Sequence, residues 1–494
     1  NEIFIKSSGN ITIMPFEPNE EQLKKKAEEF AKVLNRKDER SGELDSGRMG
    51  INEDAAEKAA RVWFSSVDDR GYLDSPDLTE PGSKERHSGI RLGSLIGMGG
   101  QNYAFSADID FNQLYFVPFY RNIRRHEIRK ERGGKIDILR YNYDAEAKEE
   151  SEWFYKTGRT DSMRVLVEPV LRSRFNGGKG VVRLRRKKKD EEDTETIANI
   201  DRIKALDGMS NENLVFSAVT GKNRKDRDFN LVEKIENYIE PDEVYKKLTP
   251  YEIIDITKQI ASALCTLDEF GVCHRDVKPE NVFVTKIKKP VAKLADWDLL
   301  KITDREHGIS STMTHAEGIV KCSPLYSSME QWNDTKSVDI KSDLVGLGLT
   351  ASKWRTGEEP RHFPKDWSLL PGIEWQGKVY TAITEEDDSY AKPIGIWGIS
   401  SNIRYDGILR WYHYLGLGKG KDKLDKLNRN FYNVLAGMIV ADREKRYQHP
   451  KEVIEDLEKV LKGESVRPRA APYQVFCSSR IDIKNPKKFR ERLF

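Results

Sequence analysis

The chain has few cysteines, no long hydrophobic run and almost no net charge, and each shortage excludes a class of protein. Its four cysteines are spread over 494 residues without a CxxC pair, which excludes a disulfide framework and fits a reduced compartment. No run of about 18 apolar residues occurs, so a membrane-spanning helix is excluded. The 84 Lys and Arg residues nearly balance 81 Asp and Glu, for a net charge of +3, which argues against a nucleic-acid partner bound through bulk charge.

The composition that remains is that of a globular protein with large solvated surfaces. Hydrophobic residues make up 37% of the chain and glycine contributes 35 residues, enough for a sizeable core. The charged share of 33% exceeds the roughly 25% of an average domain and predicts long solvated faces or insertions. At roughly 150 residues per domain, the length fits about three domains, or one large domain with extensions. Because the chain begins with Asn1 instead of Met, we expect a fragment or a processed product.

Residues 1–89 are predicted to form a helical extension and a linker. Apolar residues recur at helical spacing in two segments, the first including Phe30 and Leu34 and the second Trp63. Acids and bases alternate on the polar faces, which favours surface helices that pack on a neighbouring domain over helices that lie on a membrane. Ser, Asp, Gly and Pro are frequent over 65–92, as is typical of a linker.

Beyond the linker, strands come first and helices second. Short strands are predicted at 90–103 and 114–120, and further strands at 214–219 and 230–235. Between them lies a highly charged stretch at about 122–195, in which a basic run directly precedes an acidic run. Such neighbouring runs favour a solvated loop, with a basic docking patch as the alternative. The segregated order of strands and helices predicts an α+β fold.

The clearest helix start in the chain is the sequence Thr249-Pro250-Tyr251-Glu252. Thr249 is the predicted N-cap, Pro250 takes the first helical position, and Glu252 closes a capping box. Apolar residues continue at helical spacing, and Gly271 is expected to end the helix. This helix therefore delivers the chain to the segment that carries the chemistry.

That segment reads His274-Arg275-Asp276-Val277-Lys278-Pro279-Glu280-Asn281. Asp276 can accept a proton from a hydroxyl group, and Lys278 can stabilise a phosphoryl group during transfer. Asn281 and Asp296 offer the oxygen ligands that Mg²⁺ prefers. The alternative, a charged turn between strands, requires eight residues to match this order by chance. The pattern predicts phosphoryl transfer with Mg²⁺.

The segment resembles the catalytic loop and the metal-binding Asp of the eukaryotic protein kinase family. Gly97, Gly99 and Gly100 follow the first predicted strand and resemble the glycine-rich phosphate loop of that family. The resemblance covers about 90–462 and implies a bilobal α+β fold, with a small β-rich N-lobe, a larger helical C-lobe and an N-terminal helical extension. It places the N-lobe at 90–237, including the charged insertion at about 122–195, the C-lobe at 238–462 and a basic C-terminal tail, expected to lie back on the domain, at 463–494.

The resemblance implies that ATP and Mg²⁺ are the cofactors and assigns the residues that handle them. Asp276 would orient and accept the proton of the hydroxyl group, and Lys278 would stabilise the moving phosphoryl group. Asn281 and Asp296 would hold Mg²⁺, and the three glycines would cover the phosphates.

Other positions receive binding, structural or regulatory roles from the same resemblance. Glu233 and Ile235 lie where adenine would hydrogen-bond to the backbone. Structural or regulatory roles fall to His274, Arg275, Ser323, Glu330, Asp343 and Arg446. Within this set, Glu330 is expected to pair with Arg446, and Asp343 is expected to support the catalytic loop.

The third strand departs from the family pattern. Kinases carry a Lys there that binds the α- and β-phosphates, and a Glu on the next helix that holds the Lys. One register of the sequence puts Phe116 at the Lys position and another puts Arg183 there, and the sequence leaves both open. The helix partner is equally open, because neither Glu195 nor Asp201 has the usual spacing.

Three smaller departures concern single residues. Asn102 replaces the third glycine of the phosphate loop, and Met329 replaces the Pro before the segment-ending Glu. Asp298 replaces the Gly that follows the metal-binding Asp by two residues. Because glycine reaches backbone conformations that Asp does not, we expect Asp298 to restrict the turn at this point.

The intact catalytic groups favour an atypical Ser/Thr protein kinase that transfers the γ-phosphoryl group of Mg–ATP to protein hydroxyls. The resemblance assigns Ser/Thr specificity through Lys278 and Ser323. The missing Lys supports the alternative of a weak or inactive pseudokinase that scaffolds or regulates a partner, and nucleotide transfer to a hydroxyl is a third hypothesis. The expected partners are a protein substrate and a regulatory protein that docks on the N-terminal extension or the charged insertion.

A second resemblance bears on the compartment. The segment Tyr115–Tyr120, interpreted as a third strand, and the N-terminal helical extension resemble the secreted rhoptry kinases of apicomplexan parasites. This resemblance implies export or residence in a secretory organelle, and without it a cytoplasmic location is expected.

Overall fold

In the computed structural model the chain forms two compact units. The first comprises Asn1–Glu131, Ile138–Ser210 and Phe216–Lys234, and the second Arg132–Asp137, Asn211–Val215 and Ile235–Phe494. We call them the sheet unit and the helical unit. The structure describes residues 18–41, 46–80, 87–98, 102–131, 149, 152–154, 156–186, 203–302, 323, 326–328, 330–331, 337–357, 373–375, 378–380, 393–394, 399–400, 423–440, 443–467 and 469. In these ranges no helix is long and apolar enough to cross a membrane.

The sheet unit begins with two helices and then builds one antiparallel sheet. Its elements are α1 (Glu20–Ser41), α2 (Ser46–Phe64), β1 (Ile90–Met98), β2 (Asn102–Ile109), α3 (Val117–Glu131), α4 (Thr160–Arg174), β3 (Lys179–Arg185), β4 (Ser217–Lys222) and β5 (Asp228–Glu233). The five strands are ordered β1-β2-β3-β5-β4. All neighbouring pairs are antiparallel.

The two helices predicted in the N-terminal extension are confirmed, and they form part of the core of the sheet unit. Phe30 of α1 is fully buried, and its ring centroid lies 5.7 Å from that of Phe105 in β2. Ala56 and Ala59 of α2 are also fully buried, because small side chains allow the two helices to approach closely. The extension is therefore packed against the sheet.

The strand predicted at 114–120 is wrong, because this segment begins α3. The Tyr120 N–H donates to the Phe116 carbonyl at 2.9 Å, which is a helical turn. Pro118 fits the first turn of a helix, where a missing N–H costs nothing. Phe116 and Phe119 are buried with their ring centroids 6.5 Å apart, so their spacing of three residues is helical. The second resemblance, to the rhoptry kinases, loses the strand on which it rested.

The interpretation of 122–195 as a solvated loop is wrong for the part that the structure describes. α3 extends to Glu131, and α4 buries Met163, Val167 and Leu171 at a spacing of four residues. β3 then forms the middle of the sheet. Charged residues between these apolar positions concealed the helical period from a reading based on composition. The basic run beyond Arg186 and the acidic run after it lie outside the described residues.

The helical unit contains short strands and long helices. Its elements are β6 (Tyr238–Ile239), α5 (Val244–Lys247), α6 (Pro250–Glu269), β7 (Val272–Cys273), β8 (Val282–Lys286), β9 (Pro290–Leu294), β10 (Lys301–Ile302), α7 (Ile340–Thr356), β11 (Ile373–Trp375), β12 (Lys378–Tyr380), β13 (Pro393–Ile394), β14 (Ile399–Ser400), α8 (Lys423–Ile439) and α9 (Pro450–Leu461). Strands pair as β6-β8-β9, β7-β10, β11-β12 and β13-β14.

The predicted capping box at the start of α6 is confirmed. The Thr249 hydroxyl accepts from the Glu252 N–H at 3.3 Å, and the Glu252 carboxylate accepts from the Thr249 N–H at 2.9 Å. Ile256, Ile260 and other apolar residues of this helix are completely buried. Gly271 has a φ of 64° and follows the last turn. Neighbouring residues in the sequence thus determine where α6 begins and ends. Because the catalytic segment follows α6 directly, the end of the helix also determines where that segment begins.

The first residues of the C-terminal tail lie on α8 and α9. Val466 is buried, and its carbonyl accepts from the Asn433 side chain at 2.9 Å. The Arg469 guanidinium lies 2.8 Å from Glu452 and 3.9 Å from the ring centroid of Tyr447. The prediction that the tail lies back on the domain is confirmed for these described residues.

Candidate active site

The catalytic segment is held by a buried carboxylate of α7. Asp343 accepts the backbone N–H of His274 at 2.7 Å and that of Arg275 at 2.6 Å. It is 2% exposed, and burial raises its pKa to about 7 even though both N–H groups act to lower it. The support that the sequence predicted for Asp343 is therefore present as two hydrogen bonds to the backbone.

His274 joins the catalytic segment to the segment that carries Asp296. Its Nδ1 accepts from the Asp276 N–H at 3.3 Å, and its Nε2 donates to the Ala295 carbonyl at 2.9 Å. The neutral imidazole satisfies both contacts, and burial lowers the pKa of His274 in agreement with this form. His274 thus positions the backbone on both sides without carrying charge.

Arg275 occupies a backbone conformation that is rare for a residue with a side chain. Its φ is 71°, in the left-handed region, which residues other than Gly, Asn and Asp seldom adopt. The carbonyl of Arg275 accepts from the Gln331 side chain at 2.7 Å. Such conformations persist where the surrounding contacts enforce them. The role of Gln331 was not predicted, and its position directly after Glu330 was the only signal available.

Three polar side chains donate to the Asp276 carboxylate. Oδ2 accepts from Lys278 Nζ at 2.7 Å and from Asn281 Nδ2 at 2.9 Å. Oδ1 accepts from the Ser323 hydroxyl at 2.6 Å. Lys278 Nζ also donates to that hydroxyl at 2.9 Å, and Asp276 itself is 8% exposed. The structure thus brings together four of the residues that the sequence singled out.

This arrangement can accept a proton from a hydroxyl group. The Ser323 hydroxyl already donates to the Asp276 carboxylate while contacting the Lys278 ammonium group. A general base must lie within about 2.6–3.2 Å of the group it deprotonates. A substrate hydroxyl in the place of the Ser323 hydroxyl would meet this requirement, with a positive charge beside it.

The donor set around Asn281 fits Mg²⁺. The Asn281 Nδ2 atom donates to the Asp276 carbonyl at 2.8 Å and to its carboxylate, which leaves the amide oxygen as a ligand. The Asn281 carbonyl accepts from the Ala295 N–H at 2.8 Å, which holds Asp296 nearby. The described residues contain no group of three or more His, Cys, Asp or Glu able to hold a metal. Two protein oxygens completed by phosphate and water match the usual binding of Mg²⁺.

Asp298 does not restrict the turn, contrary to the expectation from sequence. The left-handed residue here is Asp296, with a φ of 70°, while Trp297–Leu299 form a 3-10 turn. Asp298 is not among the residues with positive φ. The left-handed residue lies two positions before Asp298, where the family pattern has its glycine, so the Asp298 side chain causes no backbone strain.

The predicted ion pair between Glu330 and Arg446 is present. The guanidinium binds the carboxylate with both arms, at 2.5 Å and 3.1 Å, and Ser342 donates to the same carboxylate at 2.7 Å. Burial acts to raise the pKa of Glu330, but Arg446 and Ser342 lower it to about 2. The pair anchors the chain shortly after Ser323, the residue that contacts Asp276.

The third strand of the sheet carries Arg183. In β3, Arg183 lies directly opposite Ala104 of β2 and Asn230 of β5. Successive residues of a strand point to opposite faces, so Arg183 and Ala104 lie on the face opposite Phe105, which contacts α1. Phe116 lies in no strand. The register with Arg183 is therefore the correct one.

A buried polar network beside Arg183 was not predicted. Asn230 Nδ2 donates to the hydroxyls of Ser217 at 2.8 Å and Thr220 at 2.9 Å. Asp207 accepts from both hydroxyls and, at 2.7 Å, from the Thr220 N–H. Burial raises the pKa of Asp207 to about 6. Polar residues inside otherwise apolar strands were the signal available in the sequence. Glu195 and Asp201, the two residues considered as partners of the cation on the third strand, lie outside the described residues.

The glycine motif continues from β1 into β2. Gly97 lies opposite Ala104 in the β1–β2 pair, whereas Gly99 and Gly100 lie outside the described residues. Asn102 is an ordinary strand residue opposite Arg185. Replacement of the third glycine therefore requires no unusual backbone at this position. Met329 also lies outside the described residues.

Glu233, predicted at the adenine-binding segment, is structurally engaged. Its carboxylate accepts from the Phe216 N–H at 2.7 Å, and its own N–H donates to the Phe216 carbonyl at 2.9 Å. It is 6% exposed, whereas Ile235 is half-buried. The side chain of Glu233 thus belongs to the core of the sheet unit, and any contact with a ligand would be made by the backbone.

The family model described as "Protein kinase domain" matches residues 176–456, more than half of the chain. The chain belongs to the protein kinase domain family. It therefore has the protein kinase fold, of class α+β, with a helical region before the domain. The match begins just before β3, and strand pairing attaches β1 and β2 to the same sheet.

Two relatives and one solved structure are similar to this chain at low identity. The probable serine/threonine-protein kinase CPE1738 of Clostridium perfringens is 27% identical over 320 residues, 63% of this chain and 37% of the relative. Serine/threonine-protein kinase pkn2 of Myxococcus xanthus is 30% identical over 139 residues, 27% of this chain and 16% of the relative. The crystal structure of the Mycobacterium tuberculosis PknI kinase domain, at 12% identity and a TM-score of 0.41, covers 75% of this chain and 96% of that domain.

Proposed function

We propose that this chain is a Ser/Thr protein kinase that transfers the γ-phosphoryl group of Mg–ATP to protein hydroxyls. One observation carries the proposal, namely that the Asp276 carboxylate contacts Lys278, Asn281 and a serine hydroxyl at 2.6–2.9 Å. The names of the two relatives from Clostridium and Myxococcus, both serine/threonine kinases, support the same specificity.

Each group of this cluster has a role in the proposed reaction. Asp276 orients the substrate hydroxyl and accepts its proton, and Lys278 stabilises the charge on the phosphoryl group. Asn281 and Asp296 hold Mg²⁺. When bound, ATP would supply the phosphoryl group, with ADP as the leaving group, and Mg²⁺ would neutralise the charge that develops during transfer. Ser323 occupies the hydroxyl position when no substrate is bound.

In this proposal, backbone groups and one cationic side chain bind the nucleotide. Gly97, Gly99 and Gly100 bind the phosphates through their N–H groups, and the backbone at Glu233 and Ile235 binds adenine. Arg183, at the position of the usual Lys on the third strand, contacts the α- and β-phosphates. Because a guanidinium group offers several N–H donors and a permanent charge, it is suited to bind phosphate.

A pseudokinase is the second candidate. One observation favours it: the third strand carries Arg183 where active kinases carry a Lys that is held by a Glu. In that case the fold would serve as a scaffold or an allosteric regulator, with the N-terminal extension or the insertion between β2 and β3 as docking surface. Intact groups around Asp276 favour the active enzyme.

The proposal extends to the class of substrate, a partner and the cellular location. The substrate is a protein with an accessible Ser or Thr hydroxyl, and a regulatory protein partner docks on the extension or the insertion. A cytoplasmic location fits better than a secretory organelle, because the strand on which the rhoptry resemblance rested is a helix.

Transfer of labelled phosphate from Mg–ATP to a generic protein substrate tests the proposal. Asp276→Asn should lower the rate by about 10²–10⁴-fold, because it removes the proton acceptor. Glu455→Gln, an exposed change on α9, should leave the rate unchanged.

No transfer by the unmodified chain would contradict the enzyme. Mg–ATP binding without transfer would favour the regulatory pseudokinase, and a chain that neither binds nor transfers would favour a scaffold. Transfer that persists in Asp276→Asn would show that the cluster is not the active site.

A further inference from the structure

The helices of the N-terminal extension contact β1 just before the glycine motif. The Trp63 indole N–H donates to the Gly93 carbonyl at 3.0 Å. Glu29 of α1 accepts from the Ser94 hydroxyl at 2.7 Å. Gly97, where the motif begins, is three residues beyond Ser94, or roughly 10 Å along a strand. Two side chains from outside the kinase domain thus bind adjacent residues of the strand that leads into the glycine motif.

The contacted residues lie at an irregularity of β1. The register between β1 and β2 shifts between Leu92 and Leu95, and again between Leu95 and Gly97. A side chain at Gly93 would collide with the Ser106 hydroxyl, since a Cβ there would lie 2.5 Å from it. The Ser106 hydroxyl donates to the Ser94 carbonyl at 3.2 Å. Where a strand departs from regular pairing, its polar backbone groups need other partners, and Trp63 supplies one.

The contact groups of the helices hold one another in place. Lys26 lies 3.0 Å from the Glu29 carboxylate and 4.6 Å from the ring centroid of Trp63. The Lys26 ammonium group also lies 5.1 Å from the ring centroid of Phe30, which is fully buried and packs on β2. Cation–π and charge-assisted contacts of this kind restrict the side chains that make them. The helices therefore contact both strands that flank the glycine motif.

We propose that α1 and α2 form a clamp, comprising Lys26, Glu29, Phe30 and Trp63, that positions the glycine-rich strand for nucleotide binding. The proposal rests on the proposed kinase function. Trp63 is a positioning residue, because it acts through the Gly93 backbone and touches no reacting group. Release of the clamp would leave the irregular part of β1 without its external hydrogen bonds and would lower the affinity for Mg–ATP.

The test compares Trp63→Phe with Arg61→Gln in the full chain. Trp63→Phe keeps an aromatic ring beside Lys26 but removes the indole N–H. Arg61→Gln changes an exposed residue of the same helix that pairs only with exposed Glu57 in a surface contact. We measure KM for ATP, kcat, the Kd of Mg–ATP by calorimetry, and amide hydrogen exchange of residues 90–98 and 272–296.

For Trp63→Phe we expect KM and Kd to rise about fivefold, as for the loss of one hydrogen bond of about 1 kcal/mol. The kcat value should stay within about twofold, because the catalytic segment is untouched. Exchange should become faster at 90–98 and stay unchanged at 272–296. Arg61→Gln should behave like the unmodified chain. Ser94→Ala, which removes the contact with Glu29, should give the same pattern with a smaller amplitude and serves if Trp63→Phe does not fold.

Several outcomes would overturn the clamp. Faster exchange at 90–98 with an unchanged Kd would show that the helices stabilise β1 without positioning it, and unchanged exchange would remove the clamp altogether. Faster exchange throughout both regions would reduce Trp63 to a general packing residue. An unmodified chain that binds Mg–ATP without transferring phosphate would contradict the kinase while the Kd still tests the clamp. If the unmodified chain binds no nucleotide, the clamp fails as well.

Discussion

The catalytic segment of the helical unit and the strands of the sheet unit bring their polar groups together in different ways. Asp276, Lys278 and Asn281 lie within six residues of one another in the chain. Arg183, Asn230 and Asp207 lie close together only because β3 pairs with β5 and the turn after Leu206 folds onto β4. A site built from one short segment keeps a recognisable sequence pattern, whereas a site built from strand register does not.

Glu330 of the helical unit and Asp207 of the sheet unit are buried carboxylates that are held in different ways. Glu330 in the helical unit is paired with the Arg446 guanidinium, which lowers its pKa. Asp207 in the sheet unit is held mainly by hydroxyl and backbone donors, and burial raises its pKa. The folded state favours the ionised form of Glu330 and disfavours the ionised form of Asp207. As pH rises, ionisation of Glu330 should therefore stabilise the fold, whereas ionisation of Asp207 should destabilise it.

The largest effect is expected from breaking the pair in the helical unit. Arg446→Met removes the bidentate partner of the buried Glu330 carboxylate and leaves the more distant Arg443, at 4.0 Å, as its counter-charge, which should lower the free energy of unfolding by about 3–5 kcal/mol. Adding Glu330→Gln to Arg446→Met should recover part of the loss. Urea unfolding of the single and double variants measures both values.

An exposed pair provides the control for this prediction. Lys246 and Glu243 form a surface contact in the same unit, and Lys246→Met should leave the unfolding midpoint unchanged, because surface ion pairs contribute little. If Arg446→Met were no more destabilising than Lys246→Met, the buried pair would not distinguish the two units.

Much of the helical unit could be predicted from its sequence, because the determining contacts are local or follow the family pattern. The capping box of Thr249 and Glu252 requires only neighbouring residues. The roles expected of Asp343 and of the pair between Glu330 and Arg446 came with the resemblance to kinases, and the hydrogen bonds expected of them are present. The partner of Arg275, Gln331, had no such pattern and was missed.

The sheet unit could be predicted only in outline. The strands β1, β4 and β5 were expected, and β3 was one of two alternatives for the third strand. The strand β2 was missed, the segment predicted as a strand at 114–120 began α3, and the charged insertion contained α4. Period-two and helical patterns are both compatible with a short apolar run, so the choice depended on tertiary packing. The choice between Phe116 and Arg183 depended on strand register, which one sequence does not encode locally.

The second prediction uses pH to sharpen the comparison. Burial raises the pKa of Asp207 to about 6 in the folded chain, from an ordinary value of 3.8. The folded state therefore binds the proton more tightly than the unfolded state, and its stability falls as pH rises from 3.8 to 6, by about 3 kcal/mol. Asp207→Asn should remove this contribution and leave that of Asp343, whose pKa is raised to about 7, as measured by urea unfolding between pH 4 and 7.

Two reference variants make the slope specific. Asp108→Asn, at an exposed position paired with Lys179, should keep the slope of the unmodified chain. Glu330→Gln should change the pH dependence of stability at acidic pH, below about 4.5. Because its folded pKa is lowered, Glu330 stabilises the fold above pH 4.5 and loses this effect as pH falls towards 2. If the fall in stability between pH 4 and 7 were as large in Asp207→Asn as in the unmodified chain, Asp207 would not be one of the titrating groups.

The smallest effect is expected at Arg183, the position at which the third strand departs from the family pattern. If its guanidinium binds the phosphates of ATP, Arg183→Gln removes a charge-assisted contact of about 1.5–3 kcal/mol, which lowers kcat/KM about 10–150-fold. Arg183→Lys should retain most of the activity, because a Lys at this position is what the family uses. Steady-state kinetics with varied ATP measures both variants.

Lys179→Gln is the matched control for Arg183, because Lys179 lies on the same face of β3 and forms a surface ion pair with Asp108. It should leave kcat/KM unchanged. If Arg183→Gln transferred phosphate as fast as Lys179→Gln, β3 would contribute no cation to the reaction and the phosphates would depend on backbone groups and Mg²⁺ alone. The sheet unit would then resemble that of a pseudokinase while the helical unit retained the groups of an active kinase, and the contrast between the two units would be one of function as well as of construction.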